Sequence, residues 1–377
     1  MSPEIRETPI GSSLRDFLGV ADYIYRDDPN YVPPPAWEQR KRLSRKNPFF
    51  SHAEGVALTA YRNDYCIGRC TVQVDREHLA KYRDDVGFFG FFDTIDDDEV
   101  AEALLAAAGR WLEQRGMKKM RGPISLNINE EFGCLVEGFD TPPMVMMPHH
   151  RRYQGGLIER AGLSKLKDAY AWRYSVLRIP ERAQRAHDEV EAMPEVRSRC
   201  ADRRTLDSDI RVIMDVYNDA RSENWGHVPL TEAELAYRVK TIRHLSDPGL
   251  MLITEIDGYP AAVALALPNV YETDPKAGPR LLRGSASRLL RRIRPRRPKT
   301  ARLLFLGIRK RFRSMKRYAP LSAYLYTEMH RAAAHRGLEW GELSWTLEDN
   351  TPVNLGIQLM GGTVYKRYRV YERELSG

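Results

Sequence analysis

The sequence contains few cysteines and no apolar stretch long enough to cross a membrane. Its longest apolar stretches are Ala101 to Ala108, which Glu102 interrupts, and Ala261 to Leu267; both are far shorter than the roughly 20 residues of a membrane-spanning helix. Residues 1–8 are charged and lack an apolar core, so we expect no secretory signal and a cytoplasmic protein. No Cys-x-x-Cys pair occurs, so we expect neither a disulfide framework nor a bound metal. The four cysteines are Cys66, Cys70, Cys134 and Cys200.

The chain is long enough for two domains, and its positive charge is unevenly distributed. Its 377 residues and 43.4 kDa exceed the size of one ordinary α/β unit. A hydrophobic fraction of 42% with 10% aromatic residues is typical of a globular protein. The net charge is +8, and much of the excess lies in one segment of the second half.

Each half of the sequence contains the same ordered pattern. A helical pattern ends in Arg-Gly, a short β-rich run follows, and an Asn comes after it. Gly116 and Asn129 mark this pattern in the first half, and Gly337 and Asn350 mark it in the second at the same spacing. Upstream, each half has an amphipathic helical pattern and a hairpin pattern, with turns at Asn63-Asp64 and Asp257-Gly258.

The sequence therefore predicts a mixed α/β fold written twice. We expect one domain over residues 1–180 and another over residues 195–377, with a basic insertion at 272–300. Each domain should contain a helix, a hairpin, a long strand, a helix, a strand, a second helix and a closing strand.

This order resembles the GNAT superfamily of acyl-CoA N-acyltransferases. In the second half, Leu303 to Ile308 resembles that fold's splayed strand, Lys310 to Tyr318 its loop, and Ala319-Pro320 the start of the next helix. The resemblance implies that acyl-CoA lies along the strand, with its diphosphate on the backbone amides that begin the helix. The implied CoA-binding residues are Leu306, Gly307, Ile308, Arg313, Ser314, Met315, Lys316, Arg317 and Tyr318.

Two positions depart from the superfamily pattern. Lys316 and Tyr318 stand where that loop has small residues, so we expect Arg313, Lys316 and Arg317 to hold the diphosphate by charge. Ile357, with Ile158 in the first half, stands where many members have a tyrosine general acid.

A closer resemblance extends over nearly the whole chain. The segments that carry it include Asp27 to Pro34, Gly87 to Phe92, Val136 to Asp140 and Tyr365 to Tyr371. They are similar to a bacterial family of double acetyltransferase-fold proteins that includes the bacterial ceramide synthases. The resemblance implies direct acyl transfer from acyl-CoA to a long-chain amine, without a covalent enzyme intermediate.

Four residues are candidates for the chemistry of this transfer. Glu348 and Asn350 follow a predicted strand end, where Glu348 is a candidate base and Asn350 could orient CoA; the alternative is a helix cap. Residues Asn127, Asn129, Glu130 and Glu131 are their first-half equivalents. His149 opens a predicted helix and is a candidate base, or else a solvent-facing or capping residue. Asp168 lies on a predicted strand that could face the boundary between the halves, or could simply be amphipathic.

Two apolar clusters each have two interpretations. The run Phe88 to Phe92 and the methionines Met144, Met146 and Met147 could form buried core. Alternatively, they could line a groove for long carbon chains.

The basic segment Arg280 to Lys299 alternates arginines with leucines. This pattern predicts binding to an anionic membrane surface, with a solvated loop as the alternative. A nucleic-acid partner is the least favoured interpretation, because no nucleic-acid-binding motif accompanies the charge.

The sequence favours an acyl-CoA-dependent N-acyltransferase of the ceramide-synthase type, on the cytoplasmic side of a membrane. The alternatives are an N-acetyltransferase of a soluble amine or peptide, a non-catalytic lipid- or nucleic-acid-binding relative, and aminoacyl transfer from tRNA. The sequence leaves open the acyl length, the amine, the half that binds CoA and the oligomeric state.

Overall fold

The computed structural model describes residues 2–273 and 298–376 and contains two compact units. Within those residues, the first unit holds 2–169 and 366–376, and the second holds 170–273 and 298–365. The domain limits 1–180 and 195–377 stay predictions about the sequence repeats, because the units are defined by packing. Most of the basic insertion at 272–300 lies outside the described residues.

The first unit is built on a mixed sheet covered by helices. Its sheet has the order β1-β2-β3-β4-β5-β15, and β8 also pairs with β15. Only the β4–β5 pair is parallel among the pairs along that order whose register is described. The elements are β1 (Glu4–Pro9), α1 (Arg15–Ile24), α2 (Ala36–Arg42), β2 (Ala53–Arg62), β3 (Tyr65–Asp75), α3 (Arg76–Tyr82), β4 (Val86–Thr94), α4 (Asp98–Glu113), β5 (Lys119–Gly122), β6 (Ile124–Ser125), β7 (Glu131–Phe132), β8 (Cys134–Glu137), α5 (Gln154–Arg160) and β9 (Ser164–Ser175), with the end of β9 in the second unit.

The second unit repeats this plan, with sheet order β14-β13-β12-β11-β10 and a parallel β13–β14 pair. Its elements are α6 (Glu181–Glu191), β10 (Val196–Cys200), α7 (Leu206–Arg221), α8 (Glu232–Leu245), β11 (Met251–Ile256), β12 (Tyr259–Pro268), β13 (Thr300–Ile308), α9 (Lys310–Arg313), α10 (Leu321–His335), β14 (Trp340–Leu347), α11 (Thr351–Leu359) and β15 (Thr363–Glu374), with residues 366–374 of β15 in the first unit.

Both predicted hairpins are present, and their turns have the backbone that the sequence indicated. Asn63 and Asp64 have φ angles of 50° and 63°, and Asp257 and Gly258 have 52° and 75°. Two consecutive positive φ angles match the twist of the flanking strands, which is why Asn, Asp and Gly occupy these positions. The predicted mixed α/β architecture in two copies is confirmed.

The aromatic run of β4 belongs to the core of the first unit. Phe89 and Phe92 pack with residues of β2, β3 and α4, while Phe91 joins a second cluster with Phe17 and Phe49. Met144 and Met147 are buried as well. The core interpretation is therefore confirmed for Phe88 to Phe92, Met144 and Met147, whereas Met146 is only partly buried.

The neighbouring strands β13 and β14 pair at only one end. Their register runs from Thr300 opposite Trp340 to Leu303 opposite Leu343. Both strands continue beyond this point, but residues 304–308 and 344–347 do not pair with each other. We call the space between these two strand ends the β13–β14 opening.

A buried polar network lies at the point where the pairing stops. Arg302 and Glu342 face each other one position earlier, with side chains 3% and 0% exposed and Nε 3.8 Å from Oε1. The Arg302 Nε donates to Ser344 Oγ over 2.8 Å, and that hydroxyl donates to Glu342 over 2.5 Å. Tyr365 donates its hydroxyl to the other oxygen of Glu342.

Glu342→Ala should destabilise the protein by about 3–5 kcal/mol, because it leaves the buried Arg302 guanidinium without its carboxylate. Urea unfolding measures this change. Glu339→Ala is the matched control, since Glu339 pairs with Lys299 where both side chains are more than 60% exposed, and losing such an exposed pair should leave the free energy of unfolding nearly unchanged. Equal effects of the two variants would contradict a stabilising role for the network.

Candidate functional site

The β13–β14 opening exposes part of a strand edge in the second unit. A bulge in β13 lies at its base, since Leu265 and Ala266 of β12 face Phe305 and Leu303 and leave Leu304 without a partner there. Bulges re-aim side chains and end strand pairing next to functional sites. Leu306 and Ile308, beyond the bulge, are only partly buried.

The chain that follows β13 carries a cluster of cations into the start of α10. Arg313 bonds to Glu223 over 3.2 Å, and Arg317 pairs with Glu195. Arg311 and Lys316 are exposed and form no ion pair within residues 2–273 and 298–376. Two positive charges near the helix start are therefore available to an anion.

Helix α10 starts without a side-chain cap. Its N-cap residue is Pro320, and no side chain accepts a hydrogen bond from the first turn. Amides in the first turn of a helix have no acceptor within the helix, and the helix dipole makes this end positive. The bulky Tyr318 is buried and packs on Phe312, with ring centroids 5.8 Å apart. The start of α10 therefore suits a phosphate group although the loop lacks glycine.

The equivalent edge in the first unit is covered by its own chain. Strand β4 pairs with β5 only from Val86 to Phe88, but Phe91 N–H then donates to Ser125 Oγ over 3.1 Å. A Cβ added to Gly90 would lie 2.4 Å from the Ile124 carbonyl oxygen, so the covering segment is in close contact.

The first unit also differs in charge at the equivalent helix start. Asp97 caps α4 by accepting from the amides of Glu99 (3.0 Å) and Val100 (3.3 Å). Asp98 and Glu99 add acidic side chains to the first turn, and the hydrogen bond from Arg62 lowers the pKa of Asp97. These amides are already satisfied by a carboxylate, and the local charge repels a phosphate.

The predicted residues Glu348 and Asn350 lie at the end of β14, beside the β13–β14 opening. Asn350 is the N-cap residue of α11, but its side chain makes no capping hydrogen bond. The backbone N–H of Asn350 donates to the Leu347 carbonyl over 3.0 Å. Glu348 is partly exposed. The backbone position expected for a cap is therefore present without the side-chain contact that would explain the asparagine.

A buried asparagine that the sequence analysis did not single out holds this strand end in place. Asn354 Nδ2 donates to the carbonyls of Leu347 (2.9 Å) and Glu348 (3.3 Å). Its Oδ1 accepts from Thr346 over 2.7 Å, and Trp172 donates to the same threonine over 2.8 Å. A polar residue on the inner face of an apolar helix was the available indication, because such a side chain needs partners.

The opposite face of β13 carries an aromatic cluster. Phe305 lies edge-on to Tyr217 of α7, with centroids 4.8 Å apart. The Arg221 guanidinium carbon lies 5.0 Å from the Trp345 ring centre and 5.1 Å from that of Tyr217. We call Tyr217, Phe305 and Trp345 the aromatic wall; Tyr217 and Phe305 are buried, and Trp345 is partly exposed.

His149 lies in the first unit and is buried, so the solvent-facing interpretation is wrong. Helix α5 begins at Gln154, several residues after His149, so the expectation that it opens the helix is also wrong. Its Nε2 lies 2.9 Å from Asp28, and burial lowers its pKa despite this carboxylate. Its Nδ1 is buried and has no hydrogen-bond partner within the described residues.

Asp168 is buried in the first unit among cations. Arg369 bonds to both of its oxygens, at 2.8 and 3.1 Å, while Arg367 and Lys165 approach to 3.2 and 3.1 Å. Burial raises the pKa of Asp168, but these three hydrogen-bonding cations outweigh burial and place it below its ordinary value. This contact set accounts for the residue as part of the packing of β9 on residues 367–369.

The first-half equivalents of Glu348 and Asn350 are engaged in local contacts. The Arg42 guanidinium lies 3.4 Å from the Glu130 carboxylate and 2.6 Å from the Glu131 carboxylate. The Asn127 side-chain oxygen accepts from the backbone N–H of Asn129 over 2.9 Å. The structure therefore places Glu348 and Asn350 at an opening in the second unit, and places His149 and Asp168 in buried networks of the first.

Comparison with known proteins agrees with the fold and the duplication. No protein-family model matches the chain. It is 36% identical over 367 residues to "Protein YghO" of Escherichia coli strain K12, covering 97% of this chain and 93% of that protein. It is also 36% identical over 369 residues to "Bacterial ceramide synthase" of Caulobacter vibrioides, covering 97% and 95%. The solved tandem GNAT protein of the clavulanic acid pathway matches with a TM-score of 0.58 at 10% identity, covering 99% of both chains.

The duplicated fold, with a parallel strand pair that separates in each unit, defines a tandem GNAT-type acyltransferase. Within that class, the chain belongs to the family that contains the Caulobacter bacterial ceramide synthase and protein YghO. GNAT proteins use an acyl-CoA as co-substrate.

Two structural features are absent from residues 2–273 and 298–376. Within them, no three His, Cys, Asp or Glu side chains are grouped as a metal site would require. No helix in the same residues combines the length and apolarity needed to span a bilayer.

Asp168→Asn should lose stability at neutral pH but not at low pH. Because the folded-state pKa of Asp168 is lowered, its contribution is complete above the unfolded-state pKa of about 3.9 and disappears as the pH falls through the lower folded-state pKa. Urea unfolding of both proteins between pH 3 and 7 (roughly the range over which carboxyl groups titrate) measures the difference. A difference in unfolding free energy that did not shrink towards acid would contradict this role.

Proposed function

We propose that the protein transfers an acyl group from acyl-CoA to the amine of a long-chain lipid, and that the second unit binds the thioester. The observation that carries this proposal is the difference between the two units. The second has strand ends that do not pair and a basic helix start without a side-chain cap, whereas the first has a covered edge and an acidic, capped start. We assign CoA to the second unit for this reason.

The proposed contacts follow from the chemistry of CoA. The diphosphate lies at the first turn of α10, with Arg313, Lys316 and Arg317 supplying charge and Leu306, Gly307 and Ile308 supplying the strand edge. The backbone of Ser314, Met315 and Tyr318 completes the loop. Arg313 and Arg317 hold acidic partners in the structure, so binding requires them to exchange those partners for phosphate.

The proposed reaction is a direct transfer. The neutral amine attacks the thioester carbonyl, a C–N bond forms, the C–S bond breaks, and the CoA thiolate takes up a proton. Glu348 removes the proton of the amine, and Asn350 orients CoA, both at the strand end that Asn354 holds. We retain His149 and Asp168 as weaker candidates, because their contacts lie in the first unit.

Two observations support a lipid amine over a soluble one. The partly exposed Trp345 of the aromatic wall lies on the part of β14 that does not pair with β13, and the relative from Caulobacter is named a ceramide synthase. The basic segment Arg280 to Lys299, most of which lies outside the described residues, would hold the protein on an anionic inner-membrane surface.

Purified protein should release free CoA from a fatty acyl-CoA when a sphingoid or ketosphingoid base is supplied, as measured with a thiol reagent. Glu348→Gln should lower kcat by about 100-fold or more, with little change in the KM for acyl-CoA, because a general base acts in the transition state. Glu339→Gln, an exposed glutamate before β14, is the matched control. Turnover with acetyl-CoA and a soluble amine alone would replace the lipid acceptor by a small molecule.

Ser322→Asp should weaken acyl-CoA binding without destabilising the protein. Position 322 is in the first turn of α10, where an acidic side chain stabilises a helix by about 0.3–1 kcal/mol but repels a diphosphate. The KM for acyl-CoA should rise about tenfold, equal to about 1.4 kcal/mol, while the melting temperature stays level or rises.

Ser322→Asn is the neutral control of similar size and should leave the KM nearly unchanged. In the first unit, Glu99→Gln alters the charge at the equivalent helix start and should not change the KM. If Glu99→Gln changed the KM for acyl-CoA as much as Ser322→Asp does, the assignment of CoA to the second unit would be contradicted.

A further inference from the structure

A small apolar cavity begins where the β13–β14 opening begins. Its volume is about 50 Å³. Leu303 and Leu343, the last residues at which the two strands pair, line one wall, together with Ala301 and Gly341 before them. The cavity therefore shares its wall with the base of the opening.

The facing wall comes from the second half of α10. Met329 and Ala333 of that helix line the cavity, whereas the proposed phosphate contacts lie at the helix start near Pro320. A CoA arm that runs from the helix start to the base of the opening points its thioester towards this cavity. An acyl chain that continues beyond the thioester would enter it.

Most of the wall is apolar, and three of its polar side chains have hydrogen-bond partners. The Tyr174 hydroxyl and His330 Nδ1 lie 2.6 Å apart, and Glu342 accepts from Ser344, which lies behind the wall, over 2.5 Å. Apolar cavities stay dry and bind hydrocarbon groups. The chemistry of this cavity therefore suits a carbon chain.

Small residues create the space, and flexible ones could enlarge it. Ala266, Ala301 and Gly341 face it from the strands, while Met329 and Met360 form part of its boundary. Methionine is unbranched and adapts to ligands of different shape. A chain longer than the present space would be admitted by movement of these two side chains.

We propose that this cavity receives the carbon chain of the acyl group and limits its length. The inference rests on the proposed function, because it requires the thioester to lie at the base of the β13–β14 opening. The substrate class is a saturated acyl-CoA, bound with its methyl end beneath the second half of α10; the present space takes the first chain carbons, and longer chains require Met329 and Met360 to move.

Calorimetric titration with CoA and a series of saturated acyl-CoAs tests this proposal without turnover. For the unaltered protein, affinity should rise by up to about fourfold for each added methylene that is buried, and then level off at one chain length. Ala333→Leu fills the cavity from α10 and should move this limit to a shorter chain, with acetyl-CoA binding unchanged. Met329→Ala enlarges the cavity and should move the limit to a longer chain.

Ala334→Leu is the matched control, because the same change on the next, exposed residue of α10 adds volume outside the cavity. The proposal is overturned if Ala333→Leu and Met329→Ala leave the chain-length limit where it was. It is also overturned if Ala333→Leu weakens acetyl-CoA as much as longer thioesters; should that variant not fold, the direction of the shift in Met329→Ala decides. Failure of the unaltered protein to bind any CoA compound would instead contradict the proposed function.

Discussion

The contact between Arg302 and Glu342 lies where β13 and β14 stop pairing. The rest of the candidate site depends on this point, because the β13–β14 opening begins here. Removing two charges from water costs more than their attraction returns unless hydrogen bonds complete both groups. Ser344 and Tyr365 supply those bonds. Up to Leu303 and Leu343, next to this network, the two strands pair with each other. Beyond these residues their edges do not pair and remain available to a ligand.

The two units show that a repeated fold need not repeat a site. Both have a parallel strand pair that separates, and both have a helix that follows the longer strand. In the first unit the chain covers the edge with its own residues and caps the helix with Asp97. In the second, the helix start is basic and has no side-chain cap. The two units therefore differ at a few equivalent residues, and these differences leave a candidate binding site in the second unit only among the described residues.

The second unit arranges its surfaces in the order of the parts of an acyl-CoA. Positive charge and helix amides come first, an exposed strand edge follows, and apolar space lies beyond the base of the opening. The aromatic wall lies on the other face of β13, beside Arg221. One diverging strand pair can therefore contact three parts of the same ligand. The basic helix start suits the charged part, the strand edge suits the polar part and the cavity suits the apolar part.

The sequence by itself determined the features that depend on neighbouring residues. The hairpin turns at Asn63-Asp64 and Asp257-Gly258, the start of α10 after Pro320 and the duplication follow from local backbone preferences and spacing. Tertiary structure alone decided the partners of Asp168, the burial of His149 and the covering of the first unit's strand edge. Asp168 meets Arg369 across 201 positions of the chain, and no local pattern encodes such a pairing, because burial and charge compensation are set only when distant strands pack together.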